Sequence, residues 1–283
     1  MKILINYAND KYKKTQKINS WTGLHIGGFD KVFSFGPEDI DTDFYNKNKE
    51  ILNIERGNGL WLWKPYFINK VMEEANEGDL IFYCDSGAFF YRKIDKVVEV
   101  LGSTEKILVT DIPLLESCFT KPECFKIMDC DSDKYKYSNQ IIATFFAAIS
   151  CKETKEFVKK WLEVCCDVRA IMPEVNKKKD INDKRGFVEH REDQSILSLL
   201  CKKEGIKAHK DFSIRGEYPE TYFNYNYSFV MPIHDDKYKP ILWLHKSPKV
   251  TLIGILKGHF NCVLCKFKYI KFKQNSENKL IKG

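Results

Sequence analysis

Short apolar runs alternate with helical patterns along the first part of the chain. Lys2 to Tyr7 predicts a buried strand, and Val32 to Phe35 predicts a second strand that is ended by Gly36-Pro37. Between them, Tyr12 to Gly23 carries Lys and Gln with spaced apolar residues, which predicts a helix that ends at Gly23. The strand-helix-strand order favours an α/β sheet.

The next segment predicts the centre of that sheet. Phe67 to Ala75 has apolar residues at helical spacing, and the apolar run from Leu80 to Cys84 follows it. Because this run is continuous rather than alternating, it predicts a central strand covered on both faces. We expect the residues after Cys84 at the carboxyl edge of the sheet, where open α/β sheets bind ligands.

Later segments extend the same pattern. Lys106 to Thr110 predicts a strand, Gln140 to Ala148 a buried apolar segment, and Lys152 to Val168 an amphipathic helix. Asn176 to Arg185 is polar without an apolar period and predicts a mobile surface loop, which would act as a lid beside a site. No apolar run approaches twenty residues, so we predict no transmembrane helix.

Positive charge is concentrated at the C-terminus. Residues 249–283 contain eight lysines and one glutamate, a net charge of +7 that equals the formal net charge of the whole chain. Segment 254–273 therefore predicts either a basic interfacial helix on an anionic membrane or a helix packed on the domain with solvated lysines. We expect one domain over 1–248 and a basic amphipathic tail over 249–283. The balanced body argues against nucleic acid as a partner.

The N-terminus and the cysteines indicate a cellular compartment. The apolar run after Met1 is too short for a signal peptide, and the ten cysteines lie scattered in apolar stretches. We expect free, mostly buried thiols in a protein that is cytoplasmic or peripheral on the inner face of the cell membrane. Cys262 and Cys265 have metal-ligand spacing, but no second pair completes a tetrahedral zinc site.

Two segments near the predicted central strand carry residues suited to chemistry. In Tyr83-Cys84-Asp85-Ser86-Gly87 a carboxylate leaves the strand into a Ser-Gly turn, where it either holds a divalent cation against a diphosphate or caps the turn. Arg56 to Tyr66 combines two cations, two glycines and three aromatics. That composition suits phosphate binding, but it also suits aromatic core packing with cations reaching the surface.

Two further segments lie later in the chain. Glu189 to Ser195 crowds polar groups before an apolar helical stripe, so Asp193 either caps that helix or faces an acceptor as base or electrostatic partner. Trp243-Leu244-His245-Lys246 ends an apolar run. His245 there either completes a metal or diphosphate site or is a hydrogen-bonded surface residue.

Three segments together resemble the GT-A-type glycosyltransferases of bacterial capsule and lipopolysaccharide biosynthesis. They are RGNGLWLWKPYFI (56–68), GDLIFYCDSG (78–87) and EHREDQSILSLL (189–200), in that order. The resemblance implies a Rossmann-like α/β/α sandwich that binds a nucleotide-sugar at the carboxyl edge of its sheet. It also implies transfer of the sugar to a growing glycan that is free or lipid-linked, with UDP as the commonest donor nucleotide.

The resemblance further implies roles for individual residues. Asp193 and Glu192 would be catalytic, and Asp85 with His245 would hold Mn²⁺ or Mg²⁺ against the diphosphate. Gly87 replaces the second acid of the family's Asp-x-Asp motif, so the expected metal shell is thin. The nucleotide-sugar would be bound by residues of all these segments: Tyr7, Arg56, Trp61, Lys64, Asp85, Ser86, Gly87, Gln140 and Lys246.

Two other function classes stay open. A nucleotidyltransferase on a similar sheet would have a Gly-rich basic loop after its first strand, where this chain has Asn6-Tyr7-Ala8-Asn9-Asp10. A non-catalytic nucleotide- or glycan-binding scaffold would keep the fold and lose a motif acid, as the presence of Gly87 allows.

Overall fold

A mixed β-sheet organises the chain in the computed structural model, which describes residues 1–103, 105–173, 186–225 and 229–281. The loop and lid predicted at 176–185 lie outside these residues. The strands are β1 (Lys2–Tyr7), β2 (Lys31–Phe35), β3 (Leu80–Cys84), β4 (Ala88–Phe90), β5 (Ile107–Leu115), β6 (Asn139–Ile141), β7 (Phe145–Ile149), β8 (Ala208–His209) and β9 (Leu242–Leu244).

The strand order places β3 at the centre of the sheet. The order is β2-β1-β3-β7-β5-β6 with β8 beside β5, and β4 pairs with β9 in a separate two-stranded sheet. β1 runs parallel to β2 and β3, whereas β7 runs antiparallel to β3 and β5. All five residues of β3 are buried, which confirms the predicted central strand. Because Cys84 pairs with Phe145, the carboxyl end of β3 lies beside the start of β7.

Helices and turns cover both faces of this sheet. The helices are α1 (Lys13–Thr22), α2 (Thr42–Leu52), α3 (Gly57–Leu60), α4 (Trp63–Glu74), α5 (Asp95–Ser103), α6 (Glu116–Phe119), α7 (Pro122–Ile127), α8 (Asp133–Lys136), α9 (Lys152–Cys165), α10 (Val168–Ile171), α11 (Glu192–Lys203), α12 (Ile214–Glu217) and α13 (Leu252–Ile281). Short 3₁₀ segments lie at 10–12, 37–39 and 219–225, and a π-helical turn follows α1 at 23–27.

Alternating strand residues supply two separate cores. Ile81 and Tyr83 pack into one core with side chains of α4, α9 and α11, while Leu80 and Phe82 pack into the other with side chains of α5, β4 and β9. This division follows from the two-residue period of a strand, which sends successive side chains to opposite faces. The predicted three-layer α/β sandwich is thereby confirmed.

The helix α1 has the predicted position but buries polar side chains. Ile18 and Trp21 are 37% and 58% exposed, whereas Asn19 is fully buried. The Asn19 amide donates to the carbonyl of Ala88 at 3.0 Å, and its oxygen accepts from the Asn6 amide at 2.8 Å. Hydrogen bonds to the neighbouring strand residues therefore decide which face of this helix is buried.

Several predicted boundaries change when the chain folds. The apolar segment from Gln140 to Ala148 forms two strands, β6 and β7, and the helix predicted from Lys152 to Val168 ends at Cys165. All ten cysteines are free, and every one except Cys166 is buried, as predicted. Within the described residues, the helices lack a stretch long and apolar enough to cross a bilayer.

The packing of β3 predicts a large stability loss for Phe82→Ala. Phe82 is fully buried, and its ring lies 5.5 Å from that of Phe29 and 5.9 Å from that of Phe90. We expect the free energy of unfolding to fall by about 3–5 kcal/mol in urea denaturation. Trp21→Ala removes an exposed aromatic and should change it by less than about 0.5 kcal/mol. Equal losses for the two variants would contradict this core assignment.

Candidate functional site

A cavity of about 270 Å³ opens beside the carboxyl end of β3. Seven residues predicted as functional line it: Arg56, Trp61, Lys64, Asp85, Glu192, Asp193 and Lys246. They come from the two ends of α3, the start of α4, the turn after β3, the start of α11 and the segment after β9. The fold therefore brings together side chains that are far apart in the sequence.

The Lys64 ammonium lies at the floor of this cavity between two carboxylates. Its Nζ is 3.0 Å from Asp193 Oδ2 and 3.4 Å from Asp85 Oδ1, and it donates to the carbonyl of Ala143 at 2.9 Å. The Tyr83 hydroxyl donates to the same Asp85 oxygen at 2.5 Å. Lys64 is only 3% exposed. These contacts join α4, β3, α11 and the turn between β6 and β7 at one point.

Burial and pairing act on these charges in opposite directions. Burial alone would lower the pKa of Lys64, but the carboxylates of Asp193 and Asp85 raise it above its ordinary value. Burial raises the pKa of Asp193 to about 6, against the opposing effect of Lys64. At neutral pH the ammonium and the Asp193 carboxylate are therefore both charged.

A second ion pair lies on the neighbouring wall. Arg56 Nε donates to Glu192 Oε1 at 2.7 Å, and Arg56 Nη2 is 3.6 Å from a Glu189 oxygen. Burial raises the pKa of Glu192 to about 7, although the bond from Arg56 lowers it. The Arg56 guanidinium also lies 5.7 Å from the centre of the Trp61 ring. Glu192 is thus held in the wall but titrates near neutral pH.

The segment that presents Arg56 and Trp61 is the short element α3, whose backbone forms a left-handed turn. Gly57 to Trp61 are five consecutive residues with φ between +52° and +95°. A Cβ at Gly57 would lie 2.3 Å from the Trp61 ring, so glycine serves both the backbone conformation and the close approach. The Asn58 amide donates to the Tyr7 hydroxyl, and the Tyr7 ring stacks on Trp63 at 3.8 Å.

Positive φ angles at residues other than glycine concentrate around the cavity. Of six in the described residues, three line it: Trp61 (59°), Glu192 (37°) and Lys246 (51°). Each such residue costs about 1–3 kcal/mol and persists only where the surrounding structure enforces it. Strain of this kind gathers at functional sites, which supports assigning a function to this cavity.

Four residues predicted to bind the donor support the cavity without lining it. The buried Ser86 hydroxyl donates to the Tyr7 carbonyl at 2.6 Å, which ties the ends of β1 and β3 together. The carbonyl of Gly87 accepts from the backbone N–H of Lys246 at 3.1 Å. Gln140 is fully buried and accepts from the Gln194 amide at 2.7 Å.

His245 faces a different part of the molecule. It lines a second cavity of about 650 Å³ beside α13, and its Nδ1 lies 2.8 Å from the Ser247 carbonyl oxygen. Within the described residues, the structure forms no group of three or more His, Cys, Asp or Glu side chains suited to a metal ion. The residues present do not by themselves fit a metal centre, and the predicted pair of Asp85 and His245 stays a prediction.

Several lining residues are not among those that the sequence predicts to be functional. Glu189, Arg191 and Gln194 belong to the segment around Asp193, so their position near an acidic helix start was the available signal. The Arg191 guanidinium lies 3.9 Å from the centre of the Phe119 ring. The remaining lining residues carry no local signal: Ile112, Ile142, Thr144 and Tyr222.

Among the described residues that line the cavity, one cation lacks an acidic partner. Lys64 and Arg56 are paired with acids of the wall, and Arg191 Nε is 3.5 Å from a Glu189 oxygen. Lys246 reaches solvent and, across the described part of the chain, forms no ion pair with a carboxylate, while desolvation and the nearby Arg215 and Arg191 lower its pKa to about 8. Lys246 is therefore the lining cation that can pair with an anionic group without giving up a carboxylate partner.

Comparisons with known proteins give distant structural likenesses. No family model matches the chain, and no curated protein matches it. Mouse xyloside xylosyltransferase 1 is 8% identical, over 86% of this chain and 97% of its own, with a TM-score of 0.47. The galactosyltransferase LgtC, solved with donor and acceptor sugar analogs, is 14% identical over 86% of each chain, with a TM-score of 0.46.

A third solved structure is the glycosyltransferase GlyE of Streptococcus pneumoniae TIGR4. It is 12% identical, over 96% of this chain and 64% of its own, with a TM-score of 0.44. All three TM-scores are below 0.5, so each name describes that protein and not this chain.

The left-handed turn predicts that Gly57→Ala costs more stability than Gly78→Ala. Both glycines have positive φ, +62° and +86°, but only Gly57 has a side chain within reach of an added Cβ. We expect about 1–2 kcal/mol for Gly78→Ala from the backbone alone, and a larger loss for Gly57→Ala. Urea denaturation measures both, and equal losses would mean that the Trp61 contact does not constrain the turn.

The buried charge cluster predicts a strong effect of Lys64→Met. The variant leaves Asp193 buried without its cation, so we expect the free energy of unfolding to fall by about 3–5 kcal/mol. Lys160→Met is the control, because its pair with Glu204 is about half exposed and should cost less than about 1 kcal/mol.

The double variant Lys64→Met/Asp193→Leu tests the origin of this loss. It removes both partners, so it should be more stable than Lys64→Met alone. A double variant that is less stable than the single one would show that the two residues act independently.

Proposed function

We propose that this protein transfers a sugar from a nucleotide-sugar donor to an acceptor hydroxyl in the cavity beside β3. The single observation that carries the proposal is the buried Lys64 between Asp85 and Asp193, in a cavity that also exposes Lys246. A nucleotide-sugar has an aromatic base, a diphosphate and a polyhydroxylated ring, and the wall offers groups for each of them.

The donor would lie with its diphosphate near Lys246 and Arg191. Their positive charges would stabilise the negative charge that builds on the departing nucleoside diphosphate. Trp61 offers an aromatic surface on the same wall, beside the carboxylates that accept hydrogen bonds from sugar hydroxyls. Ser86, Gly87, Tyr7 and Gln140 would act by holding these groups in place.

Asp193 is the proposed base or electrostatic partner for the acceptor. It lies in the first turn of α11, and its pKa of about 6 keeps it ionised at neutral pH yet able to take up a proton. Lys64 at 3.0 Å fixes the carboxylate and stabilises its charged form. Glu192 beside it holds Arg56 in the wall and contributes to the same acidic surface.

We propose UDP as the donor nucleotide and a growing, lipid-linked surface glycan as the acceptor, in a protein at the inner face of the cell membrane. These finer assignments rest on the three sequence segments described above. Mn²⁺ or Mg²⁺ would add a positive charge at the diphosphate, with Asp85 as its ligand in the cavity. Of the two predicted metal ligands, Asp85 lines this cavity and His245 lines the cavity beside α13.

Donor hydrolysis tests the proposal directly. The purified chain is incubated with UDP-, GDP- and CMP-sugars, with and without Mn²⁺, and the released nucleotide is measured. We expect slow hydrolysis of one donor, reduced about 100-fold in Asp85→Asn. Asp133→Asn makes the same chemical change at an exposed position outside the cavity and should leave the rate unchanged.

Nucleotide binding separates the alternatives. A ligand that binds only the folded protein raises its melting temperature, so UDP, GDP and CMP are compared by thermal shift. Binding without hydrolysis would support the scaffold hypothesis if a panel of glycan acceptors also gives no transfer. The proposed function is contradicted if the chain binds none of these nucleotides and hydrolyses none of the donors.

The acidic groups predict a pH dependence of donor hydrolysis. Burial raises the pKa of Glu192 to about 7 and that of Asp193 to about 6, so both become protonated as the pH falls through these values. We expect the rate to fall on acidification through these values, and also to fall above about pH 8, because burial lowers the pKa of Lys246 to about 8 and the ammonium near the diphosphate then loses its charge. In Glu192→Gln the remaining fall should be centred near pH 6. A rate that is constant from pH 8 to pH 5 would contradict a role for either ionised group.

A further inference from the structure

The C-terminal helix α13 packs on the body through one face. Cys262 and Cys265 are buried there, and the Tyr269 ring lies 5.2 Å from that of Phe223. Nearer its start, His259 lies 5.8 Å from the ring of Tyr218. The helix therefore has a fixed orientation on the body, and this orientation determines which of its side chains point away from the body.

The face that points away from the body is apolar. At 100° per residue, seven apolar side chains lie within an arc of about 120° opposite Cys262 and Cys265. Each of them is between 39% and 72% exposed: Leu252, Ile253, Leu256, Phe260, Leu264, Phe267 and Ile270. Monomeric soluble proteins rarely expose so continuous an apolar surface, so this face calls for a partner.

Lysines flank the apolar face on both sides. Lys257 and Lys268 follow one edge, Lys266 and Lys273 follow the other, and Lys271 lies within the face. From Leu252 to Gln274 the helix contains no acidic residue. Lysine side chains can extend their ammonium groups toward phosphate while their methylene stems stay in an apolar layer.

This charge pattern selects among possible partners. Two copies of α13 placed face to face would bring like charges together along both edges, which is unfavourable. An anionic bilayer instead offers an apolar layer for the exposed face and negative headgroups for the lysines. The described helices are too polar to span a bilayer, so α13 would lie along it rather than cross it.

We propose that α13 binds the surface of an anionic membrane, with the face from Leu252 to Ile270 in the headgroup and acyl boundary and the catalytic body above it. The interaction is independent of the proposed reaction, because none of these residues lines the cavity beside β3. It would place that cavity near acceptors carried by lipids.

Sedimentation with vesicles tests the proposal with the full chain. We expect binding to phosphatidylcholine vesicles that contain phosphatidylglycerol, and much weaker binding to pure phosphatidylcholine or at about 1 M salt. Phe260→Glu should weaken binding by roughly 10- to 100-fold, because it replaces an aromatic ring that would insert into the membrane with a charged group. Asn261→Glu adds the same charge at the next, exposed position outside the apolar arc and should weaken it by only about fivefold.

Lysine substitutions test the electrostatic part. Lys257→Gln/Lys268→Gln should lower the affinity for anionic vesicles by roughly 30-fold and leave the weak binding to neutral vesicles unchanged. Circular dichroism and melting temperatures show whether each variant is folded. The proposal is overturned if the folded full chain does not bind anionic vesicles, or if it forms a dimer in buffer that Phe260→Glu dissociates.

Discussion

The rest of the site depends on the contacts that the buried ammonium of Lys64 makes with Asp85, Asp193 and the carbonyl of Ala143. A charge removed from water is expensive, and this one is retained because two carboxylates and a backbone carbonyl surround it. Each partner belongs to a different element, so α4, β3, α11 and the turn before β7 must all be in place together. The cluster therefore makes the position of Asp85 and Asp193 a property of the whole fold rather than of their own segments.

The left-handed turn from Gly57 to Trp61 adds a second constraint. Its unfavourable backbone is compensated by contacts that only the folded body provides, among them the bond from Asn58 to Tyr7 and the stack of Tyr7 on Trp63. Together with Glu192 and Lys246, this turn surrounds the cavity with strained residues. A preorganised wall of this kind lowers the reorganisation needed when a charged ligand binds.

Much of the architecture could be predicted from the sequence because hydrophobic periodicity is local. The continuous run from Leu80 to Cys84 predicts the central strand, and Asp85 lies at the carboxyl end of that strand as expected. Helix α1 shows where that reasoning fails, since its buried face is chosen by hydrogen bonds from Asn19 that no apolar period records. The division of 140–148 into two strands likewise depends on pairing with β5 and β3.

Prediction of the site was limited by contacts between distant segments. The sequence places Lys64, Asp85 and Asp193 in three separate motifs. It does not show that the Lys64 ammonium forms ion pairs with both acids. Gln140, which the sequence predicts to bind the donor, is buried behind the cavity and accepts a hydrogen bond from Gln194. Tyr222 and Ile112 are identified as lining residues only in the folded chain, because neither lies in a recognisable sequence motif.

The packing of α13 also limits how far the chain can be shortened from its C-terminus. A chain that ended before Leu252 would lose the exposed apolar face, but it would uncover the rings of Phe223 and Tyr218 and the indole of Trp243, which lies 6.3 Å from His259. The shortened chain would expose a new apolar surface in place of the old one. The segment that carries Lys246 would also lose the packing of α13 against Trp243. Efforts to improve solubility are better directed at single residues of the outer face than at removal of the helix.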